Sequence, residues 1–160
     1  MGQSRPKNMS KIVIVILFSA LILIIISIWY LAFFVPKNAN IVNLKIKDQP
    51  YKIEMAISSA QKIKGLSKRE SLCKNCGMLF TFGFETELPF WMKDTLIPLD
   101  MIWLDKNGKV VDIQIASEIN SKKIYQNQTP AQYVLELNAN DSNKLNLKIG
   151  DVIQLPNQND

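Results

Sequence analysis

The chain contains no histidine in its 160 residues. That absence removes Ser-His-Asp and Cys-His catalysis, histidine-ligated zinc and imidazole acid–base chemistry within one chain. Cysteine is nearly absent as well, with Cys73 and Cys76 the only two. A zinc site needs four ligands, so this pair completes one only across chains or with carboxylates. No metal and no cofactor are expected. The sequence also lacks a basic stripe interleaved with aromatics. Its formal charge of +5 reflects 19 Lys and Arg against 14 Asp and Glu. Arg5, Lys7 and Lys11 lie near the start and the remaining cations are scattered, so nucleic acid is not an expected partner. There is no internal repeat and no low-complexity tract.

The longest feature present is itself a stretch without charge, residues 12–35. As a helix it would span about 36 Å, against about 30 Å of bilayer hydrocarbon. A helix also pairs its own backbone groups, as lipid requires. The expectation is a single transmembrane helix over 12–35 with the lipid bilayer as partner. More cations precede this run than follow it, where Lys37 stands alone. That places residues 1–11 as a cytoplasmic arm and the rest outside, at the cell membrane. A cleaved signal peptide is the rival reading, but its apolar region is usually about 7–15 residues. Residues 36–40 read as a linker, 41–156 as one extracytoplasmic domain and 157–160 as a tail.

Within the domain, Val42, Leu44 and Ile46 alternate with polar residues, and after the Asp48-Gln49-Pro50 turn Tyr51, Ile53, Met55 and Ile57 resume the alternation. This is the period of half-buried strands. Ser58 or Ser59 caps a short helix reaching about Glu70. Met78, Phe80, Phe82 and Phe84 give a strand with an aromatic face, and 99–104 is apolar enough for a central strand buried on both sides. Asp105-Lys106-Asn107-Gly108 is a hairpin turn, followed by alternation through Val111, Ile113 and Ile115. Residues 117–132 read as a polar surface loop and 133–137 as a strand. A helical turn or two follows, capped by Asn140 or Asp141, and then a last strand over 152–155. Many short strands with one or two short helices predict a mainly β domain, an antiparallel sandwich or barrel.

One block carries a resemblance. Gly77-Met78-Leu79-Phe80, then Phe90-Trp91-Met92-Lys93-Asp94-Thr95-Leu96-Ile97-Pro98-Leu99-Asp100, resembles the domain of unknown function 192 family. Gly65-Leu66 with Arg69 before it, and Tyr133 to Leu137 with Gly150-Asp151 after it, fit the same pattern. The resemblance implies a compact β-rich, sandwich-like fold, often behind a signal peptide or anchor, with no established activity. Ser67, Asp94 and the Asn138-Ala139-Asn140 turn depart from the family's usual methionine, asparagine and glycine-containing turn. If an asparagine amide serves a ligand, Asp94 cannot replace it, because an ionised carboxylate only accepts hydrogen bonds.

Cys73 and Cys76 stand in Cys-Lys-Asn-Cys. A structural disulfide, a redox-active pair and free or intermolecular thiols all remain open. A disulfide is the simplest outcome on an oxidising face of a membrane, and the motif lacks the helix N-terminus that lowers a catalytic thiol pKa. Asp100 interrupts an apolar strand and must have partners. Those expected are Arg69, Lys93, Thr95 or the Asp94-Thr95 amides, in either an anchor or a site. Glu136 either faces solvent or pairs with Asp100 as glycosidase carboxylates do. Phe84, Phe90 and Trp91 are either core or a groove. Asn127-Gln128-Thr129 matches a glycosylation triplet.

These residues lead to a membrane-anchored binding or accessory module at the cell envelope, acting on an unknown envelope ligand or protein without catalysis of its own. Arg69, Trp91, Lys93, Asp94, Thr95, Asp100 and Glu136 are the candidate patch. The alternatives are an envelope thiol–disulfide protein using Cys73 and Cys76, and a carboxylate-based hydrolase.

Overall fold

The computed structural model describes residues 9–34 and 40–156. Residues 1–8 of the expected arm, Val35 at the end of the expected span, 36–39 of the expected linker and the 157–160 tail lie outside the described residues. The chain divides into two compact units, Met1–Ala39 and Asn40–Asp160.

The first unit holds helix α1, Met9–Phe34. Its Ser19 and Ser27 hydroxyls donate back to the carbonyls of Ile16 and Ile24, at 2.9 and 2.8 Å. Both polar groups are thereby satisfied within the helix. The anchor expectation is corrected here: among the described residues no helix is long and apolar enough to cross a membrane. The membrane location inferred from residues 12–35, and the outside placement of the domain, lose their ground with it.

The second unit is mainly β. Strands β1 (Ile41–Ile46), β2 (Gln49–Ala56), β3 (Cys76–Thr86), β5 (Leu99–Leu104), β6 (Val110–Ala116) and β8 (Ala131–Asn138) form one sheet in the order β1-β2-β3-β8-β5-β6. β4 (Phe90–Trp91) and β7 (Ile124–Tyr125) form a separate two-stranded ribbon. The expected antiparallel sandwich or barrel is corrected to a mixed sheet. β2 and β3 run parallel, the other neighbours antiparallel, and no second sheet closes a sandwich among the described residues. The parallel pair exists because residues 57–75 carry the chain back to the start of β2 before β3 begins, the crossover such pairs require.

Helix α2, Ser59–Lys64, lies in that crossover and is shorter than expected. It starts in a capping box, with the Ser58 hydroxyl accepting from the Gln61 N–H and the Gln61 side chain accepting from the Ser58 N–H. It stops at Gly65, whose φ of +46° suits glycine. Ile63 of this helix is 83% exposed. Helix α3, Asp141–Lys144, is a single turn, and the strand expected over 152–155 reduces to one bridge between Lys109 and Val152. The 105–108 turn holds as expected, with Gly108 at φ +76°.

The sheet is covered on both faces. Leu99, Met101 and Trp103 of β5 join Met78, Phe80 and Val134 in one apolar cluster, while Ile102 and Leu104 join Leu79, Leu135 and Leu137 in the other. All six β5 residues are buried, as the apolar run implied. The first face is overlaid by Leu66, Leu88, Met92, Ile97 and Tyr125 from the connections, and the second by Leu147 and Ile153 near the C-terminal end.

Candidate functional site

Register decides which polar groups share a face. Glu54 of β2 pairs with Met78 of β3, Met78 with Glu136 of β8, and Glu136 with Met101 of β5. Residues directly opposite in neighbouring strands point to the same face, so Glu54 and Glu136 share the face carrying Met101. Asp100 pairs with Leu137 and points to the other face. The two carboxylates of the hydrolase reading are thus on opposite sides of the sheet, which removes that reading.

Asp100 is fully buried and anchors a turn. It accepts from the Asn140 N–H at 2.9 Å, the Ser142 N–H at 2.8 Å and the Ser142 hydroxyl at 2.6 Å. The partners expected in sequence, Arg69, Lys93, Thr95 and the Asp94-Thr95 amides, are not the ones it binds. Asp100 instead caps α3 from a neighbouring strand, where the helix's own N-cap Asn140 makes no side-chain cap bond.

On the Glu136 face, the turn after α2 delivers Arg69. The Lys68 N–H donates to the Asp94 carbonyl at 2.7 Å and the Arg69 N–H to the Leu66 carbonyl at 3.3 Å. The Arg69 guanidinium then grips Glu54 with both terminal nitrogens, Nη2 to Oε2 at 2.7 Å and Nη1 to Oε1. These bonds hold the Glu54 carboxyl below its usual range, and Glu54 holds the guanidinium above its own.

Glu136 has no such partner. It is 5% exposed, and no hydrogen bond to its carboxyl is found among the described residues. Burial pushes its pKa up to about 8, against the smaller opposing pull of the Arg69 cation. Solvent exposure, the bland expectation for this alternating position, is corrected: both faces of β8 are covered. The linkage has a definite sign. Between pH 4.5 and about 8 the folded chain keeps a proton that the unfolded chain releases, so this group's stabilisation is full below 4.5 and lost as pH rises through about 8. Urea midpoints of the wild type should therefore fall from pH 5 to pH 8.5 relative to those of Glu136→Gln, by at most about 1.4 kcal/mol per pH unit. Parallel profiles for the two proteins would contradict the raised value.

Glu136 opens into a pocket of about 230 Å³. Phe80, Phe82, Phe90 and Trp91 wall it, Lys62, Lys64 and Lys93 bring ammonium groups, and Thr95 lines it beside them. Phe90 is held by edge-to-face contacts with Phe80 at 4.9 Å, Phe82 at 6.4 Å and Trp103 at 6.3 Å. Gly65 lines the same space, and a Cβ there would meet the Phe80 ring at 3.3 Å. Lys62 Nζ lies 4.6 Å from the Phe82 ring centre and Lys93 Nζ 5.4 Å from that of Trp91, distances at which a cation is attracted to a ring face.

Of the seven residues singled out in sequence, Trp91, Lys93, Thr95 and Glu136 line this one pocket. Arg69 sits beneath it through Glu54. Asp94 is exposed and adopts φ +56°, a left-handed conformation that Asn and Asp enter more readily than other residues. Its backbone is what ties the loop: the Asp94 N–H donates to Asn120 and its carbonyl accepts from Lys68. The residue at this position therefore answers to backbone geometry in this chain. Among the aromatics, Phe90 packs with the core, whereas Trp91 is 52% and Phe84 72% exposed. Glu54, Lys62, Lys64, Phe80 and Phe82 were not singled out as site residues. Glu54 and the lysines look like solvated positions until the crossover folds over the sheet.

Cys73 and Cys76 form a disulfide with Cα atoms 5.3 Å apart. The Cys76 N–H donates to the Cys73 carbonyl at 3.2 Å, and Asn138 Nδ2 donates to the same carbonyl at 3.0 Å. The bridge closes the turn that starts β3 beside β2. α2 ends nine residues earlier at Lys64, so neither cysteine stands in the first turn of that helix. Asn127 of the glycosylation triplet is buried, its amide donating to the Thr86 and Thr129 carbonyls and accepting from the Leu88 N–H.

Comparison with known proteins gives relatives of the fold. No curated protein matches the chain. A crystal structure of a candidate transcription regulator from Sinorhizobium meliloti 1021 is 31% identical, with a TM-score of 0.68 over 75% of this chain and 95% of that one. A protein of unknown function from Novosphingobium aromaticivorans DSM 12444 is 28% identical, with a TM-score of 0.65 over 72% of this chain and 84% of that one. The family model of domain of unknown function 192, described as an uncharacterized ACR, matches residues 41–155. That stretch holds all six strands of the sheet and every wall of the pocket, and so this chain belongs to the domain of unknown function 192 family.

Proposed function

We propose that the β domain is a non-catalytic binding module and that its site is the pocket above Glu136. One observation carries this reading: the carboxyl of a largely buried glutamate, with no hydrogen bond to it found among the described residues, opens into a concave, aromatic-walled space. Its oxygens are reached from that space, since no fully buried side-chain oxygen or nitrogen lacks a partner among the described residues. A group kept in that condition at the base of a pocket is suited to a ligand that completes it. The aromatic walls supply apolar contact, and few convergent polar groups are what small-molecule sites use for orientation. The carboxylate pair needed for hydrolysis is separated by the sheet, and neither cysteine has the setting of an activated thiolate.

The test is a titration of the full ¹⁵N-labelled chain with ring-bearing fragments of each charge: benzoate, benzyl alcohol and benzylamine. Saturable shifts are expected at the amides of residues 62–67 and 89–95 and at the Trp91 indole N–H. Shifts absent there, or centred on the opposite face near Asp100, would refute the assignment.

A further inference from the structure

We propose that the pocket takes a small, ring-bearing organic anion whose charge meets Lys62, Lys64 and Lys93 and whose far end presents a hydrogen-bond acceptor to Glu136. The inference rests on the binding reading above and adds the ligand's chemical class.

The charge balance around the pocket carries it. Among the described residues none of the three lysines forms an ion pair; the lysine pairs present are those of Lys47, Lys106, Lys123 and Lys144. Two of the three ammonium groups are instead held over the Phe82 and Trp91 rings. Arg69 and Glu54 neutralise each other through two hydrogen bonds. The strands beside Glu136 present Met78 and Met101 to it, both uncharged. Arg69 is the charged group that bears on Glu136, Lys64 acts on Glu54, and all three lysines line the pocket.

A cationic ligand would enter against three unpaired ammonium groups. An anion gains from the ammonium groups that line the pocket. At the base, a carboxyl held in its neutral form is a donor, so the inner end of the ligand must accept. A volume of about 230 Å³ suits one ring with short substituents, and Phe82, Phe90 and Trp91 offer surfaces for it to pack on.

The probe is 4-methoxybenzoate, which has a carboxylate at one end and an acceptor-only ether oxygen at the other. Its affinity for the full chain is measured by NMR titration at pH 6.5 and pH 9, beside benzylamine and 4-methoxybenzyl alcohol. With Glu136 losing its proton near pH 8, binding of 4-methoxybenzoate should weaken about tenfold at pH 9. In Glu136→Gln, whose amide remains a donor at every pH, affinity should not change with pH. The double variant Lys62→Met with Lys93→Met keeps apolar stems on the rings; it should lose about tenfold for 4-methoxybenzoate and little for the alcohol. The spectra themselves report whether each variant is folded. Tighter binding of benzylamine than of the anion, or pH-independent binding by the wild type, would overturn the ligand class and leave the binding reading in place. Failure of every fragment would remove both.

Discussion

Asp100→Ala is expected to destabilise the β domain by about 3–5 kcal/mol. The carboxylate lies on a central strand with no solvent exposure and accepts three hydrogen bonds, two from backbone N–H groups and one from a hydroxyl. Truncation leaves those donors in a site that water does not reach, so the loss is the cost of unmet groups rather than the worth of a contact. The turn it caps also positions Asp141, which accepts from the Tyr51 hydroxyl at 3.3 Å. Tyr51 is pushed up to about 12, first by burial and then by Asp141, so the turn and β2 are coupled through this bond. Asp100→Asn retains one acceptor oxygen and is expected to lose less, about 1–2 kcal/mol. Urea unfolding with an unchanged slope and a lowered midpoint is the measurement. Equal midpoints for Asp100→Ala and wild type would show that Asp100 is not an anchor.

Trp103→Ala should cost about 3–5 kcal/mol, the range for emptying a large buried aromatic site. The side chain is fully buried on the pocket's face of the sheet. Its indole N–H donates to the Leu88 carbonyl at 3.0 Å, and the Leu88 N–H donates in turn to Asn127. That chain of bonds pins the start of the loop carrying Phe90, Trp91, Lys93 and Thr95. Trp103→Phe keeps most of the packing against Phe90 and removes the N–H, so about 1–2 kcal/mol is expected from it. Denaturant unfolding checks both magnitudes, and fragment titration of Trp103→Phe checks the loop. A stability loss for Trp103→Phe as large as for Trp103→Ala would mean that the hydrogen bond, not the volume, holds the loop in place.

Much of the fold was legible locally. Alternation over 42–46 and 51–57, the doubly apolar run over 99–104 and the Asn107-Gly108 turn each identify an element from neighbouring residues alone. The same locality explains the errors. The antiparallel sandwich or barrel expected overall missed the parallel pairing of β2 and β3, because nothing in either strand encodes that residues 57–75 return the chain to the same end. The site was legible in part for the same reason. Trp91, Lys93, Thr95 and Glu136 fall in or near the block that carries the resemblance. Lys62 and Lys64 on a short polar helix have no local mark of a site. Asp94 drew attention through its departure from asparagine, which the left-handed backbone explains without a ligand. The uncharged run at the start illustrates a different limit. Residue count over 12–35 predicted a span that the helices of the described residues do not supply.

What the sequence by itself determined is the β-rich character of the second unit, the positions of its main strands, and the exclusion of histidine chemistry. Each follows from side-chain type and a period of two along a single strand. Only the tertiary structure decided that Asp100 and Glu136, one strand apart, point to opposite faces, and that Glu54, Glu136 and Arg69 meet beneath one pocket. The physical reason is register. A strand's alternation sorts its residues into two sets, but which set meets which neighbour depends on pairings between strands distant in the chain, and those are settled by burial of the whole sheet.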